Sequence, residues 1–314
     1  MADRVTIPDL IERKQRGQKL TMLTAYDLPL ARLVDQAGVD VVLVGDSLGM
    51  VALGLPSTVP VTLEQMLHHA QAVRRGVARA LVIGDMPFMS FNISTQETVR
   101  NAGRFLQEAG CDGVKVEGGQ GSVESLKAVR AIAEAGISVM GHLGLTPQTA
   151  GKLGGFRVQA KEAAAGAALV RGAVELERAG CFAVVLECVP REVAAEATRR
   201  LRIPTFGIGA GLDCDGQVLV THDLLHLSGL FHPKFARTFA RVDEVILKAL
   251  GQFRKSVTDR TFPASQESFS MNPEELRRFR ACLKGSSSRK RGSDSRPRSR
   301  RGQAFRGNDQ RVEA

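Results

Sequence analysis

Acids, a lysine and a histidine recur in this 314-residue chain at the ends of apolar runs. Val41-Val42-Leu43-Val44 leads through Gly45 to Asp46 and Ser47, and Leu81-Val82-Ile83-Gly84 leads to Asp85. Val114-Lys115-Val116-Glu117 carries a cation and an acid, the run from Ile137 reaches His142, and Val184-Val185-Leu186 reaches Glu187. Short, branched apolar runs of this kind read as strands buried on both faces, as in a parallel sheet. Ligands in parallel α/β folds sit beyond the carboxyl ends of the strands, so these polar residues stand where a substrate would bind.

Each residue alone also fits a plainer role. Asp46 fits an acceptor of backbone N–H groups in a turn, Glu117-Gly118-Gly119 a loop start, and Lys115 a solvated edge residue. Together the argument changes, because three acids at one mouth repel each other unless a cation lies among them. All-oxygen ligation suits Mg²⁺, which keeps several waters and leaves positions for a chelating substrate. Glu187 is flanked by Leu186 and by Cys188-Val189-Pro190. That apolar setting predicts a desolvated carboxylate suited to accept a proton near neutral pH. A buried glutamate paired with an arginine is the alternative.

The elements that must position these groups follow a repeated pattern, in which a helix stops at glycine and a strand follows. Gly38, Gly76, Gly110, Gly136 and Gly180 are the stops. Glycine just past a helix takes the left-handed conformation that closes the last turn. Strands are predicted over 19–24, 39–44, 80–84, 113–117, 138–141, 183–187, 204–208 and 218–220, with amphipathic helices between most of them. Unbroken βα alternation implies a parallel sheet with right-handed crossovers, and eight strands is the barrel number. The last two strands leave no room for a helix between them. Helices over 242–257 and 273–283 are expected to close the domain, giving a (βα)₈ barrel over 1–284 and a basic tail over 285–314.

Composition bounds the partners. The net charge is +10, but residues 285–314 hold nine Lys or Arg against three Asp or Glu, which leaves +4 for the rest. The tail is too poor in apolar residues to fold, so it reads as a disordered extension, and a nucleic-acid function is not indicated. No long apolar run and no leader-like N-terminus is seen, so a cytoplasmic protein with no membrane partner is expected. The five cysteines form no C-x-x-C pair and read as buried thiols. Gly207-Ile208-Gly209-Ala210-Gly211 reads as close backbone packing around a ligand. His222 and His226 share i, i+4 spacing but no acid motif accompanies them, which argues against a metal role.

Several of these words, in order, resemble ketopantoate hydroxymethyltransferases: Leu43 to Met50, Asp85-Met86-Pro87-Phe88-Met89, Val114 to Gly119, Gly141-His142-Leu143-Gly144-Leu145-Thr146-Pro147-Gln148, Leu186 to Pro190 and Gly207 to Gly211. The resemblance spans roughly 5–269. It implies a barrel of the phosphoenolpyruvate/pyruvate type, a homo-oligomer (a decamer in the family), and the first committed step of pantothenate synthesis. In that reaction 3-methyl-2-oxobutanoate takes a hydroxymethyl group from 5,10-methylenetetrahydrofolate through an enolate stabilised by Mg²⁺. By position, the resemblance implies Asp46 and Asp85 as Mg²⁺ ligands with Glu117 in the metal shell. Asp46, Ser47, Asp85, Lys115 and His142 would contact or line the oxo-acid site, and Glu187 would be the general base.

The chain departs from the family at His226, where glycine is usual, and at Ser268, where histidine is common; the tail has no counterpart. Lyases and mutases of the same barrel type need a catalytic cysteine or equivalent acid on a glycine-rich loop, and no cysteine here sits in one. Gly151 to Lys161, with Lys152, Arg157 and Lys161, is expected to form a mobile loop over the mouth.

Overall fold

The apolar runs form eight parallel strands that close into a barrel in chain order. They are β1 (Leu20–Thr24), β2 (Val41–Val44), β3 (Leu81–Asp85), β4 (Gly113–Glu117), β5 (Val139–Gly144), β6 (Cys181–Glu187), β7 (Thr205–Ile208) and β8 (Gly216–Leu219). This computed structural model describes residues 4–118, 123–229 and 233–287. Gly119 and residues 288–314 of the basic tail lie outside the described residues. β8 pairs with β1 in register Leu20 to Gly216, which closes the cylinder. β7 and β8 are joined without a helix, as their spacing predicts, and still pair in parallel.

Around the strands run α1 (Ile7–Gln15), α2 (Leu28–Gln36), α3 (Leu48–Val51), α4 (Leu63–Gly76), α5 (Thr95–Gln107), α6 (Val123–Glu134), α7 (Ala163–Arg178), α8 (Arg191–Arg200) and α9 (Thr221–Leu224). Several starts are capped by side chains: Asp27 accepts from the Leu30 N–H, and Thr62 and Gln65 form a reciprocal capping box. Gly38, Gly110, Gly136 and Gly180 take positive φ after their helices, as the pattern predicts. Gly76 does not. It ends α4 inside the helix, and a Cβ there would lie 2.8 Å from the Leu28 carbonyl oxygen, so close packing of α4 on α2 is what requires glycine.

Alternation along the strands divides the core in two. Val184 and Leu186 of β6 pack outward in the helix-facing cluster, whereas Ala183 and Val185 fill the lumen with Met22, Val41, Ile83, Met140 and Phe206. Helix α1 stoppers the bottom: its Leu10 is fully buried in the lumen cluster, Arg13 pairs with Asp40, and Lys14 pairs with Asp215.

The described residues divide into two compact units, one up to Lys248 and one from Ala249 onward. α10 (Val242–Thr258) spans that division and buries none of its residues. α11 (Pro273–Ser287) ends beyond the predicted start of the unstructured tail, its first turns supported by Arg278 pairing with Glu274 and Glu275. Among the described residues, no helix is long and apolar enough to cross a membrane.

Candidate active site

The lumen rows turn polar at the top of the barrel. Asp85 continues the row of Leu81 and Ile83, Lys115 and Glu117 lie on the inward face of β4, His142 follows Met140, and Glu187 follows Val185. Strand pairing sets Asp85 beside Lys115 and Glu117 beside His142. β5 runs past its predicted end at Gly141 to Gly144, so His142 lies within the strand. Leu143 still packs outward, and Gly144 at φ +99° provides the exit.

A chain of contacts joins these groups. Lys115 Nζ donates to both oxygens of Asp85 at 2.7 Å and lies 3.7 Å from Glu117. His142 Nδ1 is 3.4 Å from Glu117 Oε1, and Nε2 is 3.2 Å from Glu187 Oε2. Neither ring nitrogen meets hydrogen-bond geometry, so these contacts are electrostatic. Asp46, just past β2, donates its backbone N–H toward Asp85 Oδ2 at 3.4 Å. Ser47 turns to the Tyr26 hydroxyl at 2.8 Å, and the Tyr26 carbonyl lies 2.7 Å from His69 Nδ1.

The apolar setting expected for Glu187 is not found. Its sequence neighbour Leu186 points to the other face of the strand, and Glu187 itself is turned into the lumen toward His142 with a side chain 15% exposed. Asp46, Asp85, Lys115, Glu117 and His142 are all buried.

Burial and crowding set the charges. Asp46 is pushed well above the usual carboxylate range by burial, then by Asp85 and Glu117, with Lys115 and Gln148 opposing. Asp85 is raised by burial, against Lys115 and with Glu117. Burial is also the largest influence on Glu117, but Lys115 and His142 outweigh it and hold its carboxyl low. Burial alone would lower the pKa of Lys115, but Asp85, Glu117 and Asp46 outweigh burial and raise it. For His142, burial and Lys115 favour the neutral ring, but Glu117 and Glu187 prevail and lift its pKa to about 9.

Burial first, and then the neighbouring carboxylates of Asp85 and Glu117, force Asp46 toward its protonated form. Oxygen donors of this kind fit a hard divalent cation. Among the described residues, no three His, Cys, Asp or Glu side chains close on one point as a complete metal cage. Magnesium does not require one, since it is commonly held by one or two carboxylates plus water and substrate. Asp46 Oδ1 makes no hydrogen bond among the described residues.

Sequence reasoning gave no role to Gln148, buried in a short 3₁₀ turn after β5. Its backbone N–H donates to Glu117 Oε2 at 3.0 Å, and its Nε2 donates to Asp46 Oδ2 and to the Met86 carbonyl, both at 2.9 Å. The only local signal was Pro147, which begins the turn. The remaining candidates separate. His222 stacks at 5.2 Å on Tyr26, while His226 Nδ1 meets Asp243 at 3.1 Å, so they do not converge. A Cβ at Gly207, Gly209 or Gly211 would lie within 3 Å of Cys214, Phe235 or Arg191, so this word packs closely against the chain's own side chains.

A closed parallel barrel of this kind is also the fold of solved proteins that include a member of the phosphoenolpyruvate mutase/isocitrate lyase superfamily. Phosphonopyruvate hydrolase superposes with a TM-score of 0.54 at 11% identity, covering 91% of this chain and 99% of that one. 2,3-Dimethylmalate lyase, a member of that superfamily, gives 0.51 at 15% identity over 90% and 97%. The sequence pattern described as ketopantoate hydroxymethyltransferase matches residues 4–265, and the chain belongs to that family. The 3-methyl-2-oxobutanoate hydroxymethyltransferase of Moorella thermoacetica is 53% identical over 85% of this chain and 98% of its own. That of Heliobacterium modesticaldum is 50% identical over 87% and 98%.

Proposed function

We propose that this chain transfers a hydroxymethyl group from 5,10-methylenetetrahydrofolate to 3-methyl-2-oxobutanoate, giving 2-dehydropantoate and tetrahydrofolate, in the cytoplasm. The observation that carries the reading is Glu187 turned into the lumen, 3.2 Å from His142 and above a buried lysine–carboxylate cluster. Two nearly full-length relatives at 50% identity or more bear the name of this activity.

In this reading Asp46 and Asp85 would hold Mg²⁺, with Glu117 in the metal shell, and the bound ion would supply positive charge to stabilise an enolate of the oxo acid. Lys115 contributes a fixed positive charge at the same site, retained by its three acid neighbours. Glu187 accepts the proton from C3 of the oxo acid. His142, held charged between Glu117 and Glu187, fixes the orientation of that carboxylate. Ser47, anchored by Tyr26, contacts the substrate carboxylate. The resulting enolate attacks the methylene carbon of the folate, so that one C–C bond and, from water, one C–O bond replace its two C–N bonds, while the C3 proton held by Glu187 and a water proton pass to the two folate nitrogens.

Incubation with 3-methyl-2-oxobutanoate, 5,10-methylenetetrahydrofolate and Mg²⁺ tests the reading. It is expected to yield 2-dehydropantoate; absence of product with folded protein and both substrates saturating overturns it.

The same reading takes the chain to be a homo-oligomer. On α10, Ile246, Leu250, Phe253 and Val257 recur at i, i+4, i+7 and i+11, and between 43% and 60% of each is exposed. An apolar stripe of this length on a helix that buries nothing is what a second copy would cover.

A further inference from the structure

We propose that Gln148 is a positioning residue for the carboxylate cluster: its side chain sets the orientation of Asp46 and its backbone sets that of Glu117, so that both face the cation site in a productive arrangement. The inference builds on the proposed function only in placing a divalent cation at this cluster.

The carboxylates are not equally supported. Lys115 grips Asp85 through both oxygens and lies near Glu117, but makes no hydrogen bond to Asp46. Among the described residues the one hydrogen bond to the Asp46 carboxylate comes from Gln148 Nε2. Asp46 lies beyond the end of β2, so the strand ladder does not hold it as it holds Asp85 and Glu117. The same amide nitrogen donates to the carbonyl of Met86, whose own N–H is bonded to the Lys115 carbonyl. One side chain on the turn after β5 therefore ties together the exits of β2 and β3, while its N–H braces the end of β4.

The orientation of the amide follows from its partners. The backbone carbonyl of Met86 can only accept, so the nitrogen must face it. Gln148 Oε1 is left buried without a donor. A buried acceptor in that state is costly. The residue is thus placed for what its nitrogen does. Hydrogen-bond partners behind metal ligands fix ligand orientation, and their loss typically weakens metal affinity roughly 10- to 100-fold.

Gln148→Met keeps the volume and the backbone N–H but removes both side-chain donations. Gln148→Asn, a methylene shorter, is the second variant should the first not fold. Mn²⁺ binding to the unliganded full chain, read by electron paramagnetic resonance, is expected to weaken roughly 10-fold or more in either variant. Turnover is expected to fall at low Mg²⁺ and to recover as Mg²⁺ is raised to saturation, a rescue that a purely structural defect would not allow. A folded variant that binds Mn²⁺ within about twofold of wild type overturns the proposal, as does a wild-type chain that takes up no Mn²⁺. If wild type binds Mn²⁺, the variant loses it, and neither makes 2-dehydropantoate, the positioning role stands and the proposed reaction falls.

Discussion

Glu187 illustrates how a strand separates sequence neighbours from spatial ones. Leu186 faces the helices and Glu187 faces the lumen, so the apolar word around it says nothing of what its carboxylate meets. Its position at a strand end was legible, whereas its pairing with His142 depended on the register of β5 against β6. Gln148 was illegible for a related reason: it lies off the strand, and its partners at Asp46, Met86 and Glu117 are far away in sequence. We expect Glu187→Gln to keep the fold and oxo-acid binding but to lose at least about two orders of magnitude in kcat, the usual worth of a positioned base. Steady-state kinetics check this, and near-normal turnover would remove Glu187 from that role. At the barrel floor, Asp40 accepts from Thr21 N–H and Oγ1 at 2.9 and 2.8 Å and pairs with Arg13 and Arg79. Burial, the largest influence, raises its pKa, but Arg13 and Thr21 outweigh it and hold the carboxyl below its usual 3.8. Its stabilisation is therefore full above the unfolded pKa near 3.9 and is lost as pH falls through the lower folded value. Asp40→Asn should cost roughly 2–3 kcal/mol at neutral pH, with the gap to wild type narrowing below pH about 4 in denaturant melts.

The strands were the legible part of the fold because each is buried on both faces, which leaves an uninterrupted apolar run in the sequence. The helix stops were legible where glycine closes a turn, and misleading at Gly76, where glycine serves helix packing instead. Gly144 joins element to site. It leaves β5 at φ +99°, and a Cβ there would lie 2.1 Å from the Glu187 carbonyl oxygen. Gly144→Ala should thus force β5 and β6 apart, destabilise by roughly 2–4 kcal/mol and displace the base. Thermal melts and kinetics on the same preparation test both effects. In the loop after β5, Gln159 N–H donates to the Cys188 carbonyl at 2.8 Å and Ala160 is buried, while Phe156, Arg157 and Val158 donate no backbone hydrogen bond among the described residues. Hydrogen exchange of the unliganded chain should find Phe156 to Val158 fast and Gln159 protected. Strong protection throughout would count against a mobile loop over the mouth.

For the whole molecule, the backbone conformation of His226 was not legible in the sequence. This residue adopts φ +58°, the left-handed region that favours glycine, and meets Asp243 at the start of α10. The apolar stripe of α10 was legible as a helix face but not as an uncovered one, since periodicity does not say what covers it. Leu250→Glu or Phe253→Glu should shift the assembly to smaller species in light scattering, and an unchanged mass would remove α10 from the interface. Deleting residues 285–314 should leave turnover intact, as among the described residues the cluster draws on none beyond Glu187. The central claim is that this barrel mouth enolises a 2-oxo acid, and proton NMR of 3-methyl-2-oxobutanoate in D₂O tests it most directly. Exchange of the C3 proton that requires Mg²⁺ and disappears in Glu187→Gln is the predicted result. No exchange, even with tetrahydrofolate present, would contradict it.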